Sequence, residues 1–377
     1  MRNTASSIEP YEFNADLARA NTPPASWYTD PRVLPLEKER IFGRTWQMVG
    51  HVDQVREVGD YFTCSVSDEP VVVARGADGV IRAFSNVCRH RAGPVAKGGG
   101  CRKSLQCAYH GWTYGMDGRL LTTPEFEGVQ NFDRANVRLP EYRVGTWAAF
   151  VFVNLSDEGP SLEDVLGSIP RETAHLPLAG MRLYRKVDYE VACNWKVYVD
   201  NYLEGYHIPL VHPGLFREID YAAYRVETGA HFSKQHAPIR KKASDESIYR
   251  RNLQEGVEPE ALYYWVFPNL MLNLYPDNLQ TNVILPLGHD RTLTRFEWFV
   301  SDLHRPGLEE EFARSYEFSD EVQREDIAIC EAVQRGLESN SYRSGRYSAA
   351  RENGLHHFHG LLSARLKQDV SRPSGET

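Results

Sequence analysis

The sequence predicts an α+β chain of two units, a small all-β unit over about 46–155 and a larger mixed unit over 162–368. Three observations carry this expectation. Between 46 and 155, short β-branched and aromatic runs alternate with tight Gly-containing turns. Beyond 162, helical segments and antiparallel strand runs fall in separate blocks, not in alternating βαβ order. Between the two, residues 154–161 form a polar stretch with Gly159-Pro160, which reads as a linker. A chain of 377 residues is long enough to bury two cores.

In chain order, residues 1–45 read as an arm that carries a short helix over 36–42, after Pro23-Pro24. Runs 70–75 and 80–84 flank Ala77-Asp78-Gly79, a hairpin signal. Met116-Asp117-Gly118-Arg119 makes a second turn, and 146–153 reads as one buried strand. In the second unit, helices are expected near 195–207 and 309–338, with strand runs over 280–285 and 293–299 between them. Residues 369–377 read as a disordered tail, and no internal repeat is visible.

A formal net charge of -8 without a basic stripe argues against a nucleic-acid partner. No apolar run reaches bilayer length, and the first residues lack the apolar core of a secretory signal. Of six cysteines, Cys64, Cys101, Cys193 and Cys330 are too scattered for a disulfide framework. They are the reduced thiols expected of a cytoplasmic protein.

The chemistry concentrates in two places. Cys88-Arg89-His90 is followed, after sixteen residues, by Cys107-Ala108-Tyr109-His110-Gly111-Trp112. Two thiolates and two imidazoles in mixed pairs suit a [2Fe–2S] cluster with sulfur on one iron and histidine on the other. A structural zinc site accepts the same four residues, but zinc sites usually pair like with like, as Cys-x2-Cys and His-x3-His.

The second place is residues 194–212, where Asn201, Glu204 and His207 would share one helical face at spacings of three. His207 and His212 are five apart, so a regular helix would splay them; Pro209 and Pro213 predict a break that turns both inward. Two histidines and a carboxylate suit a mononuclear Fe(II) with open positions for O₂. Asp326 is the acid out of place, on an apolar helical face made by positions 322, 329, 330, 333 and 337. Its neighbours Glu325 and Glu331 read as a solvated face.

These motifs, in this order, resemble the oxygenase (alpha) component of the Rieske non-haem iron oxygenases, over about residues 40–366. The match runs through Cys88-x-His90, Cys107-x2-His110-Gly111-Trp112, residues 201–212, and Asp326-x4-Glu331-x2-Gln334. The resemblance implies a Rieske domain followed by a helix-grip, START-like catalytic domain whose curved antiparallel sheet grips a long C-terminal helix. It implies a homotrimer in which the cluster of one subunit feeds the iron of the next. At Glu204 it implies an acid that bridges this electron path, and at Asn201 a group beside the open coordination side. It also implies a separate flavin and iron–sulfur reductase, with or without a ferredoxin. No Gly-rich dinucleotide loop follows a strand here, so NAD(P)H must be oxidised elsewhere.

Glu at position 204, where many ring hydroxylases carry Asp, is similar to the choline, carnitine and betaine monooxygenase branch. The expected reaction is therefore hydroxylation or N-demethylation of a small quaternary ammonium compound. Two other readings stand beside it: an aromatic-ring dioxygenase, and a Rieske electron carrier without catalysis. The aromatic stretch 263–275 offers rings for a cation, although most of such a stretch belongs to a sheet core. His356-His357-x-His359 reads as a packed or surface cluster, and Arg240-Lys241-Lys242 and Arg250-Arg251 as a solvated loop.

Overall fold

The structure, a computed structural model, describes residues 8–240, 260–275 and 279–367. Lys241, Lys242, Arg250, Arg251 and the tail 369–377 lie outside the described residues. Two compact units form: Phe42–Asp164 with Leu176–Gly180, and the rest of the described chain.

The first unit is all β. Its strands are β1 (Gln47–His51), β2 (Asp60–Val66), β3 (Glu69–Arg75), β4 (Ile81–Ser85), β5 (Gly99–Cys101), β6 (Ser104–Gln106), β7 (Thr113–Gly115), β8 (Leu120–Thr122), β9 (Glu141–Trp147) and β10 (Phe150–Asn154). Seven of them make an antiparallel sheet in the order β1-β10-β9-β4-β3-β2-β5, and β6-β7-β8 make a smaller one. β3 reads as a continuous apolar run because both its faces are buried. Val71 and Val73 enter a core with Phe62, Val151 and Val153, while Val72 and Ala74 enter another with Phe84, Trp112 and Tyr114. The turn at Asp78-Gly79 forms with Gly79 at φ 77°, as the hairpin signal requires. The stretch 146–153 is two strands, not one: β9 and β10 pair with Phe150 opposite Trp147, and Ala148 turns between them at φ 52°. An unbroken apolar run hides a hairpin whose turn is made by two alanines.

The second unit holds a curved, seven-stranded antiparallel sheet. Its strands are β11 (Arg182–Val191), β12 (Arg225–Thr228), β13 (Phe232–Pro238), β14 (Glu260–Val266), β15 (Leu270–Leu274), β16 (Leu279–Pro286) and β17 (Thr292–Val300), in the order β11-β17-β16-β15-β14-β13-β12. A 30-residue helix, Leu308–Leu337, crosses this unit beside a shorter helix, Trp195–Tyr202. The arm packs here too. Trp195 Nε1 and Lys196 Nζ donate to the carboxylate of Glu37 at 2.8 and 2.5 Å, and both Lys196 and Glu37 are fully buried. A buried ion pair of this kind fixes position more than it stabilises, because its desolvation offsets most of its attraction.

Two helical expectations change. The first helix ends at Tyr202, so Asn201, Glu204 and His207 do not share one helix. Past the break the chain turns on Glu204, which accepts from the backbone N–H groups of Tyr206 and His207, and position 205 is glycine because a Cβ there would stand 2.6 Å from the Tyr224 ring. Pro209 lies inside the first turn of the next helix, Ile208–Val211, and Pro213 opens a third, Pro213–Glu218, so the prolines start helices instead of ending one. On the long helix, the buried stripe is not the apolar face of 322, 329, 333 and 337. Val333 is 44% exposed, while Gln323, Cys330 and Gln334 are buried in line with Asp326. The inward face is polar because it serves a site.

Candidate metal centres

The two Cys/His loops are built alike. The amide N–H of Cys88 donates to Gly93 O at 2.8 Å, and that of Cys107 donates to Trp112 O at 2.9 Å. Within each loop a second bond returns to the cysteine, from Ala92 N to Cys88 O and from Gly111 N to Cys107 O, both at 3.0 Å. The donors of those second bonds, Ala92 and Gly111, have positive φ, 59° and 73°. Each loop thus bends back on itself and offers its thiol and imidazole on one side.

The two loops present like groups together, the cysteines in one core cluster and the imidazoles against each other. Cys88 and Cys107 are buried free thiols, and the rings of His90 and His110 lie 4.6 Å apart. His90 stacks on Trp112 at 4.9 Å, and its Nδ1 is buried with no hydrogen-bond partner. A buried, unpaired ring nitrogen on a loop that also carries a buried free thiol is an open ligand position, so these residues fit a cluster with mixed ligation. Burial, then the charges of His90 and Arg91, lower the pKa of His110 and so favour its neutral, ligating form. Tyr114 is a partner that the sequence did not reveal. Its hydroxyl accepts from Arg89 N at 2.9 Å and lies 3.3 Å from Cys88 Sγ, so its proton is left for the sulfur. Burial first, and then Cys88, raise its pKa and keep that proton in place.

In the second unit, His207, His212 and Asp326 each offer a ligand atom, and these atoms lie within 4.8 Å of one another. His212 Nε2 is 3.0 Å and His207 Nε2 3.8 Å from Asp326 Oδ1. Each imidazole is held from behind by a carboxylate: His207 Nδ1 by Glu204 Oε1 and His212 Nδ1 by Glu325 Oε2, both at 2.6 Å. The Nδ1 protons are thereby fixed and both Nε2 atoms turn to the common point, the arrangement a metal-ligating histidine needs. Burial disfavours charged His212, but Asp326 and Glu325 outweigh it and raise its pKa. Asn201 Nδ2 donates to Asp326 Oδ1 at 2.6 Å. Glu204 also accepts from the backbone N–H groups of Tyr206 and His207, so it shapes the turn that ends the helix. The donor set fits a two-histidine, one-carboxylate iron.

Glu325 is a correction to the sequence reading, for it is the support of His212 and not a solvated acid. Glu331 likewise accepts from Ala192 N at 3.1 Å. A helical wheel misses both because it carries no information on which element packs against it. In the 356–359 run, His356 stacks on Phe13, and His359 meets Asp200, Tyr28 and Tyr347.

A cavity of about 180 Å³ opens onto the three iron-type donors. That is room for an organic molecule, where a single water needs only about 10–15 Å³. Its walls include Tyr263, Tyr275, Phe296, Trp298 and Phe318. Of the aromatic stretch, Tyr264, Trp265 and Phe267 are core, whereas Tyr263 and Tyr275 face the cavity.

Residues 45–133 match the Rieske [2Fe-2S] domain, and residues 178–368 match the ring hydroxylating alpha subunit (catalytic domain). The chain belongs to the Rieske non-haem iron oxygenases. It is 38% identical to the chloroplastic choline monooxygenase of Arabidopsis thaliana, over 96% of this chain and 86% of that protein. It is 31% identical to the carnitine monooxygenase oxygenase subunit of Escherichia coli (strain K12), over 96% and 98%. Among solved structures it resembles a quaternary ammonium Rieske monooxygenase described with carnitine oxidation and inter-subunit electron transfer, at 29% identity and a TM-score of 0.85, covering 96% of this chain and 100% of that one. This Rieske oxygenase is thus an enzyme of the monooxygenase type, with a [2Fe–2S] cluster, a mononuclear iron and O₂ as co-substrate. Among the described residues, no helix is long and apolar enough to cross a membrane.

Proposed function

We propose that this Rieske oxygenase oxidises a small quaternary ammonium compound at a carbon next to nitrogen, where a hydroxylated N-methyl collapses to the demethylated amine and formaldehyde. The observation that carries this reading is the ring-lined cavity that opens onto the donor triad, since aromatic faces attract a desolvated cation. Relatives that act on choline and carnitine support it. In this reading Cys88, Cys107, His90 and His110 hold the cluster, and His207, His212 and Asp326 hold the iron. When bound, the cluster supplies electrons singly and the iron supplies O₂ activation.

The chain's own residues do the rest. Glu204 and Glu325 hold the two imidazoles in one tautomer each. Asn201 restrains the Asp326 carboxylate, leaving one side of the triad facing the cavity. The aromatic walls exclude water and hold the ammonium group against that side. Glu204 also couples this centre to the cluster of a neighbouring copy in a homotrimer. A cytoplasmic flavin and iron–sulfur reductase, with or without a ferredoxin, oxidises NAD(P)H. The aromatic-ring alternative has only a shared fold behind it, with naphthalene 1,2-dioxygenase of Rhodococcus sp. 21% identical.

The test is O₂ uptake by the purified, metal-loaded protein with a generic reductase and NADH. Choline, carnitine, γ-butyrobetaine and simple aromatic acids are offered in turn, with products weighed by mass spectrometry. Uptake coupled to an oxidised or demethylated ammonium compound is expected. Coupled uptake with an aromatic acid alone, or a cis-diol product, overturns the reading.

A further inference from the structure

Substrates with a trimethylammonium head differ at the other end: choline ends in a neutral hydroxyl, carnitine and γ-butyrobetaine in a carboxylate. The lining of this chain's cavity changes along its length. The long helix and strands β16 and β17 form a ruler along it. At the level nearest Asp326, Gln323 is satisfied, donating to Thr294 Oγ1 at 3.1 Å and meeting the Tyr198 hydroxyl. One step outward, Asn282 lies opposite Phe296. A further step outward, Gln280 lies opposite Trp298, whose ring meets Phe312 at 5.9 Å and Tyr316 at 5.5 Å, so this level lies beside residue 314.

The hydrogen-bonding groups change along that ruler. Asn282 is 3% exposed, yet neither its Oδ1 nor its Nδ2 donor has a hydrogen-bond partner among the described residues, so the Nδ2 is free to donate to an acid. Gln280 is 2% exposed, and its side chain has no hydrogen-bond partner among the described residues. Buried amides are almost always paired, so two unpaired ones in a cavity wall point to a ligand. Charge follows the same pattern. Glu311 is paired, Arg305 Nη1 donating to its Oε2 at 2.9 Å. Arg314 lines the outer cavity and has no ion pair or hydrogen bond among the described residues, although Glu310 and Glu317 lie one turn to either side. Setting aside Asp326 and the Glu204 that holds His207, the free charge of the lining is therefore positive.

We propose that the outer half of the cavity is a carboxylate subsite, in which Arg314 and the amides of Gln280 and Asn282 receive the acid end of a betaine. The substrate is then a zwitterion, not choline, although the chain is 38% identical to a choline monooxygenase. This deepens, and rests on, the quaternary ammonium reading. Twelve residues of helix between Arg314 and Asp326 rise about 18 Å, a span shared between the long arginine side chain, an extended substrate and the metal beside Asp326, all along one cavity. γ-Butyrobetaine, with its carboxylate several bonds from nitrogen, is the suitable probe.

Calorimetric titration of the anaerobic, metal-loaded protein with γ-butyrobetaine and with choline tests the subsite without turnover. The betaine is expected to bind at least about tenfold more tightly, the effect of one charge-assisted contact. Arg314→Gln, at an exposed position, should remove that advantage and leave choline within about twofold. Arg314→Glu should reverse the preference. Equal weakening of both ligands by Arg314→Gln overturns the subsite. Tighter binding of choline to the unaltered protein overturns the subsite alone and leaves the ammonium reading standing. Binding of neither overturns both.

Discussion

The two metal centres of this oxygenase are built on opposite plans. The cluster site is two copies of one loop, each closed by the same pair of backbone bonds and each carrying its own Cys and His. The iron site has no such local frame. His207 lies in a broken turn, His212 caps a short helix, and Asp326 comes from a helix more than a hundred residues on. Its geometry depends on the sheet and the long helix meeting correctly. A site set by local turns tolerates change elsewhere, and a site set by packing does not. The second plan places the proposed ligands, their supports and the cavity wall on one surface, where they can act together.

The largest test of this contrast removes one ligand from each plan. Asp326→Ala should abolish binding of the mononuclear iron and leave the visible absorbance of the cluster intact. Cys107→Ser should do the reverse. Iron analysis beside the cluster spectrum reads both, and loss of both metals in either variant would show that the centres are not independently built. Retained mononuclear iron in Asp326→Ala would mean that another acid is the ligand.

The same contrast explains what was legible in the sequence. The cluster loops were readable because ligand spacing and turn residues sit in a few consecutive positions. His207 and His212 were readable for the same reason, and Asp326 through its conflict with a helical pattern. Glu325 was not, because which of two adjacent acids faces a histidine on another element is decided by packing. The early end of the helix at Tyr202 was not legible because it depends on Glu204 accepting from backbone N–H groups of the turn, a choice that periodicity does not carry. Tyr114 was hidden for a similar reason: nothing in a strand of three residues tells that its hydroxyl reaches back to Cys88.

A smaller effect separates the two supporting carboxylates of the iron site, which look equivalent at 2.6 Å from their imidazoles. Glu325→Gln should weaken iron binding by about 10–100-fold, as loss of a histidine's supporting acid does, and single turnover should fall with iron occupancy. Glu204→Gln, measured with iron in excess so that the site stays filled, should leave a single pre-reduced turnover intact yet stop multiple turnover, because the proposed path from a neighbouring copy's cluster runs through Glu204 and not Glu325. Chelator competition and single-turnover product yields distinguish them. Unchanged steady-state turnover in Glu204→Gln would remove its coupling role and make the two acids alike.

The smallest expected effect lies away from both metals, in how each unit answers acid. Each unit has a carboxyl held at about 2: Asp78 on the β3–β4 hairpin and Glu172 beside the curved sheet. Asp78 is held there by Arg82 in an exposed pair on a local turn. For Glu172, burial raises the pKa, but Lys234, Ser168 and Tyr264 outweigh it, with Lys234 Nζ at 2.9 Å and the Tyr264 hydroxyl at 2.8 Å. Because its folded pKa is depressed, the contribution of Glu172 is complete above its unfolded value and is lost as pH falls toward about 2. Glu172→Gln should therefore lower stability by about 1 kcal/mol or less at neutral pH, the size of a partly exposed pair. The gap to the unaltered protein should hold down to about pH 5 and close below it. Asp78→Asn should show a smaller gap that added salt erases, since its pair is open to solvent. Denaturant midpoints measured across pH and salt read both differences. A salt-insensitive Asp78 effect as large as that of Glu172 would show that local turns and sheet packing carry equal weight in this fold.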